Sequence, residues 1–193
     1  MRKIGLFGGS FNPIHVGHLI IANHFAEYSD LDEVWLVVTP HNPFKKKKSL
    51  LDDHHRFQLV LRATEDYPKI KPSNIEFGLP QPNYTINTLV YLQEKYPQHH
   101  FHLIMGLDNL RSFPKWKNYE KIIEHHELYV YPRVSEATDL PELMAHQKVH
   151  YIKAPIVEIS STFIRNAIKE RKNVRALMPD KAWTYLDEMN FYK

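Results

Sequence analysis

Short apolar runs alternate along the chain with stretches of helical period. Lys3–Phe7, ahead of Gly8-Gly9, and Val34–Val38 (VWLVV) are short, apolar and bounded, as buried strands are. Phe101–Met105 (FHLIM), ending at Gly106, Glu127–Tyr131 and Val149–Ile152 add three more strands. Ile70–Phe77 is a weaker strand, interrupted by Pro72. Between them, Val16–Tyr28 places Val16, Leu19, Ile20 and Phe25-Ala26 at helical spacing, with an N-terminus near His15. Asp52-Asp53 open a second helix whose apolar face includes Phe57, Val60, Leu61 and Ala63. The acidic pair suits the positive end of that helix dipole. Further helices are predicted over Thr85–Tyr96, stopped by Pro97, over Ser161–Arg171, and over Asp180–Met189 behind Pro179. Thr39–Ser49 carries two prolines and four consecutive lysines and reads as a loop. Strands alternating with helices of about a dozen residues predict βαβ units. The expected fold class is therefore α/β, with a doubly wound, mostly parallel sheet and helices on both faces. Ligands in such sheets bind beyond the carboxyl ends of the strands, so loops 8–15, 39–49, 106–118 and 153–161 are the places to expect a site.

Composition narrows the class of protein. A length of 193 residues suits one domain over 1–193, and 43% hydrophobic residues can build a core. A net charge of +3 with neutral histidines is too mild to argue for nucleic acid or a membrane surface. The absence of cysteine removes disulfides, thiolate nucleophiles and cysteine metal clusters, and fits a reducing cytoplasm. The start, MRKIGLFGGSF, is basic, but glycines break its apolar run too early for a secretory signal. No apolar run reaches the ~18 residues of a membrane span. A cytoplasmic domain with no membrane or nucleic-acid partner is expected.

The chemistry concentrates in GGSFNPIHVGHL, residues 8–19. Gly8 and Gly9 allow a sharp turn and let an anion approach backbone amides. The helix that follows offers unpaired N–H groups to a phosphate, and Ser10 adds a hydroxyl. His15 and His18, three apart in the first turn, share a face and can point at one anion as cations or donors. A metal site would need a third ligand, and none is evident nearby apart from His24, about two turns on. The loop has neither the GxGxxG spacing nor the ending of a P-loop.

EISSTFIRNAI, residues 158–168, is the second candidate. Ser160, Ser161 and Thr162 suit a helix cap and can also turn hydroxyls and amides to an anion. Arg165, one turn on, can fork two phosphate oxygens. The run Lys45–Lys48 reads either as a solvated charge run or as a source of phosphate contacts, with Lys45 favoured.

Gly9, Phe11, Pro13, His15, Gly17 and His18 form a GxFxPxHxGH pattern that resembles the nucleotidylyltransferase superfamily. Ile159 to Thr162, Ile164 and Arg165 match its ISSTxIR element. Within it, PNYTINTL (82–89) resembles an element of the nicotinate-mononucleotide adenylyltransferases. Gly106, Asp108, Leu110, Trp116 and Ile122 resemble another, and TPHNPFKKK resembles that family's loop behind the second strand. The resemblance implies a Rossmann-like fold and transfer of the adenylyl group of ATP to nicotinate mononucleotide in NAD biosynthesis. It implies His15, His18 and Arg165 in catalysis, and Gly8, Gly9, Ser10, Phe11, Ser160, Ser161, Thr162 and Lys45 on the phosphates of ATP. Tyr84, Thr85, Asp108 and Trp116 would receive nicotinate mononucleotide. Trp116 offers a stacking face for the pyridine, and Asp108 an acceptor for ribose hydroxyls. Mg²⁺ is implied on the substrate phosphates, with no protein ligand. Nicotinamide mononucleotide or phosphopantetheine is the alternative acceptor, and a non-catalytic nucleotide- or RNA-binding module the remote alternative. Asn12 stands where that family usually has Asp.

Overall fold

The computed structural model describes residues 1–40, 50–133 and 140–193. Its sheet contains β1 (Arg2–Gly9), β2 (Glu33–Val38), β3 (Ile70–Ser73), β4 (His99–Gly106), β5 (Leu128–Tyr131) and β6 (Val149–Tyr151). All neighbouring pairs are parallel, in the order β3-β2-β1-β4-β5-β6. This is the Rossmann-like doubly wound order, with its reversal between β1 and β4. The helices are α1 (Val16–Tyr28), α2 (Asp53–Thr64), α3 (Thr85–Lys95), α4 (Leu107–Ser112), α5 (Tyr119–His125), α6 (Ser161–Lys169) and α7 (Asp180–Glu188).

Strand alternation splits the core into two layers, because successive side chains leave opposite faces of a sheet. Phe7, Val34, Leu36, Val38, Ile104 and Tyr129 meet α1, α2, α6 and α7 on one face. Ile4, Leu6, Val37, Leu103, Met105, Leu128 and Val130 meet α3, α4 and α5 on the other. Covered on both faces, the central strands are apolar runs rather than alternating ones, which is why they were readable as strands.

Two segments differ from the prediction. The stretch 106–118, expected as a loop, contains α4, and α5 follows it. Both are too short for a helical period to stand out, and they form because Leu110, Ile122 and Ile123 bury against the sheet. The strand expected over Ile70–Phe77 stops at Ser73, and Ile75–Gly78 winds into a 3-10 turn. Pro72 cannot donate to a ladder, and β3 is an edge strand, where that loss is tolerated.

Candidate active site

The loop after β1 reaches the carboxyl edge of the sheet at the switch point and is held by its carbonyls. The Ser161 hydroxyl of α6 donates to the Pro13 carbonyl at 2.8 Å, and Arg165 Nη1 donates to the Asn12 carbonyl at 2.7 Å. The two halves anticipated from sequence, some 150 residues apart, are therefore bonded to each other. They line one cleft of about 600 Å³, together with Gly8, Gly9, Ser10, His15, His18, Ser160 and Thr162.

The individual roles differ from residue to residue. Among the described residues, a Cβ on Gly8 would meet nothing within 4 Å, which leaves the backbone there open on that side. One on Gly9 would come within 3.0 Å of the Phe11 ring. Phe11 is buried with φ of 43°, and its ring packs edge-on to His18 at a centroid distance of 5.0 Å. Its side chain is a buttress, which leaves only its backbone for a phosphate. Ser160 caps α6 by accepting the Phe163 N–H at 3.1 Å, and Arg165 Nη2 donates to Thr162 Oγ1 at 3.2 Å.

His15 and His18 stack, with ring centroids 3.7 Å apart. His18 Nδ1 accepts the His15 backbone N–H at 3.2 Å, which leaves the ring proton of a neutral His18 on Nε2. His15 is 5% exposed. Burial, and secondarily the charge of Arg133, push its pKa down to about 4. Before a ligand arrives, His15 is a neutral donor or acceptor rather than a cation.

A second cavity of about 210 Å³ adjoins the first, sharing Gly8, Gly9, Ser10, Thr39 and Asn109 with it. Tyr84, Thr85, Trp116 and Lys117 line it. Thr85 begins α3, so the unpaired amides of that helix lie at the cavity. Lys117 lies over the Tyr84 ring, 4.6 Å from its centroid. Asp108 lines neither cavity; it pairs with Arg133 at 3.4 Å beside the cleft. Lys45 lies outside the described residues. Among the described residues, no group of three or more His, Cys, Asp or Glu could hold a metal ion. A cleft lined by imidazole, guanidinium and hydroxyl groups suits an anion that brings its own cation.

Three polar residues at the site escaped the sequence reading. Arg133, just past β5, lines the cleft. Glu76 is buried in the wall of the second cavity, its Oε1 accepting from Thr88 Oγ1 at 2.7 Å, and burial holds its pKa up. Arg56 is completely buried beneath the loop. Its signal was present: it shares a helix face with Val60 and Ala63, so it is a charge at a core position.

The strand order, with imidazole, guanidinium and hydroxyl groups gathered at the switch point, is that of an α/β protein of the nucleotide-binding class. The model of the cytidylyltransferase-like family matches residues 6–167, and the chain belongs to that family. A Christiangramia forsetii protein named "probable nicotinate-nucleotide adenylyltransferase" is 66% identical, with coverage of 100% of this chain and 99% of that one. A Flavobacterium johnsoniae protein of the same name is 65% identical, covering 99% of each. In fold, the chain is similar to the Plasmodium falciparum nicotinic acid mononucleotide adenylyltransferase complexed with NaAD. That likeness has a TM-score of 0.82 at 20% identity, covering 100% of this chain and 98% of that one.

Proposed function

We propose that the chain transfers the adenylyl group of ATP to nicotinate mononucleotide, forming deamido-NAD and pyrophosphate in NAD biosynthesis. The observation that carries this is the bonding of residues 12 and 13 to Arg165 and Ser161 in one cleft, beside an aromatic pocket. The 66% identical relative carries the matching name over its full length.

A 5′-phosphate oxygen of nicotinate mononucleotide attacks the α-phosphorus of ATP in line. A new P–O bond forms, the bond to the bridging oxygen breaks, and that electron pair leaves with pyrophosphate. No protein nucleophile is needed, so positioning and charge stabilisation supply the catalysis. His18 donates from Nε2 to a non-bridging oxygen on the pentacoordinate phosphorus, and His15 donates beside it. Gly8, Gly9, Ser10 and the Phe11 amide cradle the α- or β-phosphate. Ser160, Ser161, Thr162 and Arg165 hold the β- and γ-phosphates, with Lys45 a further contact. Trp116 stacks on the pyridine, while Tyr84, Thr85 and the start of α3 meet its carboxylate. Asp108 takes a ribose hydroxyl once Arg133 turns to phosphate. Mg²⁺ entering with the substrates would supply neutralisation of the pyrophosphate charge, with Arg165, Ser161 and Thr162 as the protein groups facing those phosphates. The 193 residues act as one nucleotidylyltransferase domain in the cytoplasm, without nucleic-acid or membrane partners.

His18→Ala is expected to lower kcat by about 10²–10³, as for loss of one transition-state donor. Pyrophosphate release at saturating ATP measures it. Turnover within a few-fold of the parent would refute the role of the histidine pair. Running nicotinate mononucleotide, nicotinamide mononucleotide and phosphopantetheine side by side tests the acceptor. Release is expected with the first, and equal or faster release with another overturns that choice.

A further inference from the structure

We propose that Arg56 is a positioning residue for adenylyl transfer, acting through the Ser10–Phe11 peptide without touching substrate. The inference rests on the function proposed above. Arg56 has 0% exposure and sits on α2, underneath the loop that follows β1 and against Thr39 and Pro40 just past β2. Nε donates to the Leu51 carbonyl at 2.9 Å. Nη1 donates to the Ser10 carbonyl at 2.5 Å and the Thr39 carbonyl at 2.9 Å. Nη2 donates to the Pro40 carbonyl at 3.3 Å and to Asp53 Oδ1 at 2.5 Å.

Filling this helix face does not call for an arginine. Leu59, Val60, Ala63 and Thr64 fill the rest of it with uncharged groups. A buried guanidinium is costly unless its donors are met, and among the described residues the only carboxylate bonded to it, Asp53, has a side chain 39% exposed. What the guanidinium adds is a grip on four main-chain carbonyls, of which two, those of Ser10 and Thr39, belong to residues that line the cleft.

The grip on Ser10 has a chemical consequence. The Ser10–Phe11 bond is trans, so its C=O and N–H point in opposite directions. Drawing the carbonyl towards α2 turns the Phe11 N–H the other way, to the cleft that Ser10, His15 and His18 line. Phe11 keeps φ at 43°, a conformation a bulky residue holds only when its surroundings impose it. Arg165 and Ser161 draw the Asn12 and Pro13 carbonyls towards α6. Three of the four carbonyls from Ser10 to Pro13 are thus tied back, and oxygens that would repel a phosphate are kept out of its way.

Arg56→Lys, Arg56→Met and Leu59→Ala are compared with the parent. Leu59→Ala empties the same helix face without touching the loops. The measurements are steady-state pyrophosphate release, thermal midpoint and affinity for a non-hydrolysable ATP analogue. Misplacing a reacting group by about 1 Å costs on the order of 10²-fold. Both Arg56 variants are expected to lose about that in kcat, with KM for nicotinate mononucleotide within threefold and analogue affinity down about tenfold. Leu59→Ala is expected to keep parental kcat at temperatures where it is folded. If Leu59→Ala loses as much kcat as Arg56→Lys, or if Arg56→Lys keeps it, the proposal is overturned. If Arg56→Met does not fold, Arg56→Lys decides alone. A parent that binds the analogue yet releases no pyrophosphate refutes the proposed function, and Arg56 is then judged on analogue affinity.

Discussion

Two imidazoles that look equivalent in HVGH are separated by their surroundings. His18 keeps an edge in the cleft, whereas His15 is buried and its pKa falls to about 4. A lowered folded-state value in a base means that the folded protein binds fewer protons than the unfolded chain. Its contribution to stability is therefore complete above the ordinary value of 6.5 and is lost as pH falls towards 4. At 1.36 kcal/mol per unit, His15 accounts for on the order of 3 kcal/mol across that window. His15→Asn, which keeps a good helix-capping residue, is expected to lose less stability than the parent between pH 6.5 and 4. Urea unfolding at both ends of the window checks it, and parallel curves would sink the assignment. Asn12 shows what a motif conceals. Its side-chain Oδ1 accepts from the Leu51 N–H at 3.1 Å and from the Tyr192 hydroxyl at 2.6 Å. Both partners lie outside the motif, so its letters alone could not distinguish a scaffold acceptor from a metal or proton ligand.

The elements that bear the site were legible in proportion to their length and burial. β1, α1, β2 and α6 were readable because a strand buried on both faces, or a helix of several turns, leaves a long hydrophobic signature. α4 and α5 were not, since six or seven residues hold fewer than two full turns of period. The turn at Ile75–Gly78 carries Glu76 into the second cavity and was read as the end of a strand. Glu76 joins that turn to α3 through Thr88, and burial raises its pKa above the ordinary 4.5. For an acid, a raised folded-state value makes the neutral form the one that stabilises. That contribution is complete below about pH 4.5 and is lost as pH rises through the folded value. Glu76→Gln is expected to match the parent near pH 4.5 and to become progressively more stable than it towards pH 8. Denaturation midpoints across that range measure the divergence, and a constant offset would contradict it.

At the scale of the whole molecule, the site is a meeting of distant segments at the point where the sheet reverses direction. Its loop spans residues 8–15, yet the groups that hold the loop come from Arg56, Ser161, Arg165 and Tyr192. A ligand that bridges these segments should therefore stabilise the entire chain, and not merely order a loop. A ligand that binds only the folded state at about 100 times its Kd adds roughly 2.7 kcal/mol. For a chain of this size that is a rise of roughly 5–10 °C in Tm. A non-hydrolysable ATP analogue with Mg²⁺ is expected to give that rise in the parent. Arg165→Ala removes the proposed phosphate donor together with a bond to the loop, and its shift at the same concentration should shrink to a small fraction. Tyr192→Phe removes only the hydroxyl that reaches Asn12 from 180 residues away. It is expected to lower the unliganded Tm by the few degrees that about 1 kcal/mol provides. Its analogue-induced rise should stay close to the parent's, because Tyr192 touches the loop's support and not the phosphates. If Tyr192→Phe instead lost the ligand-induced rise while Arg165→Ala kept it, the scaffold and ligand-holding roles would be the reverse of those the geometry assigns.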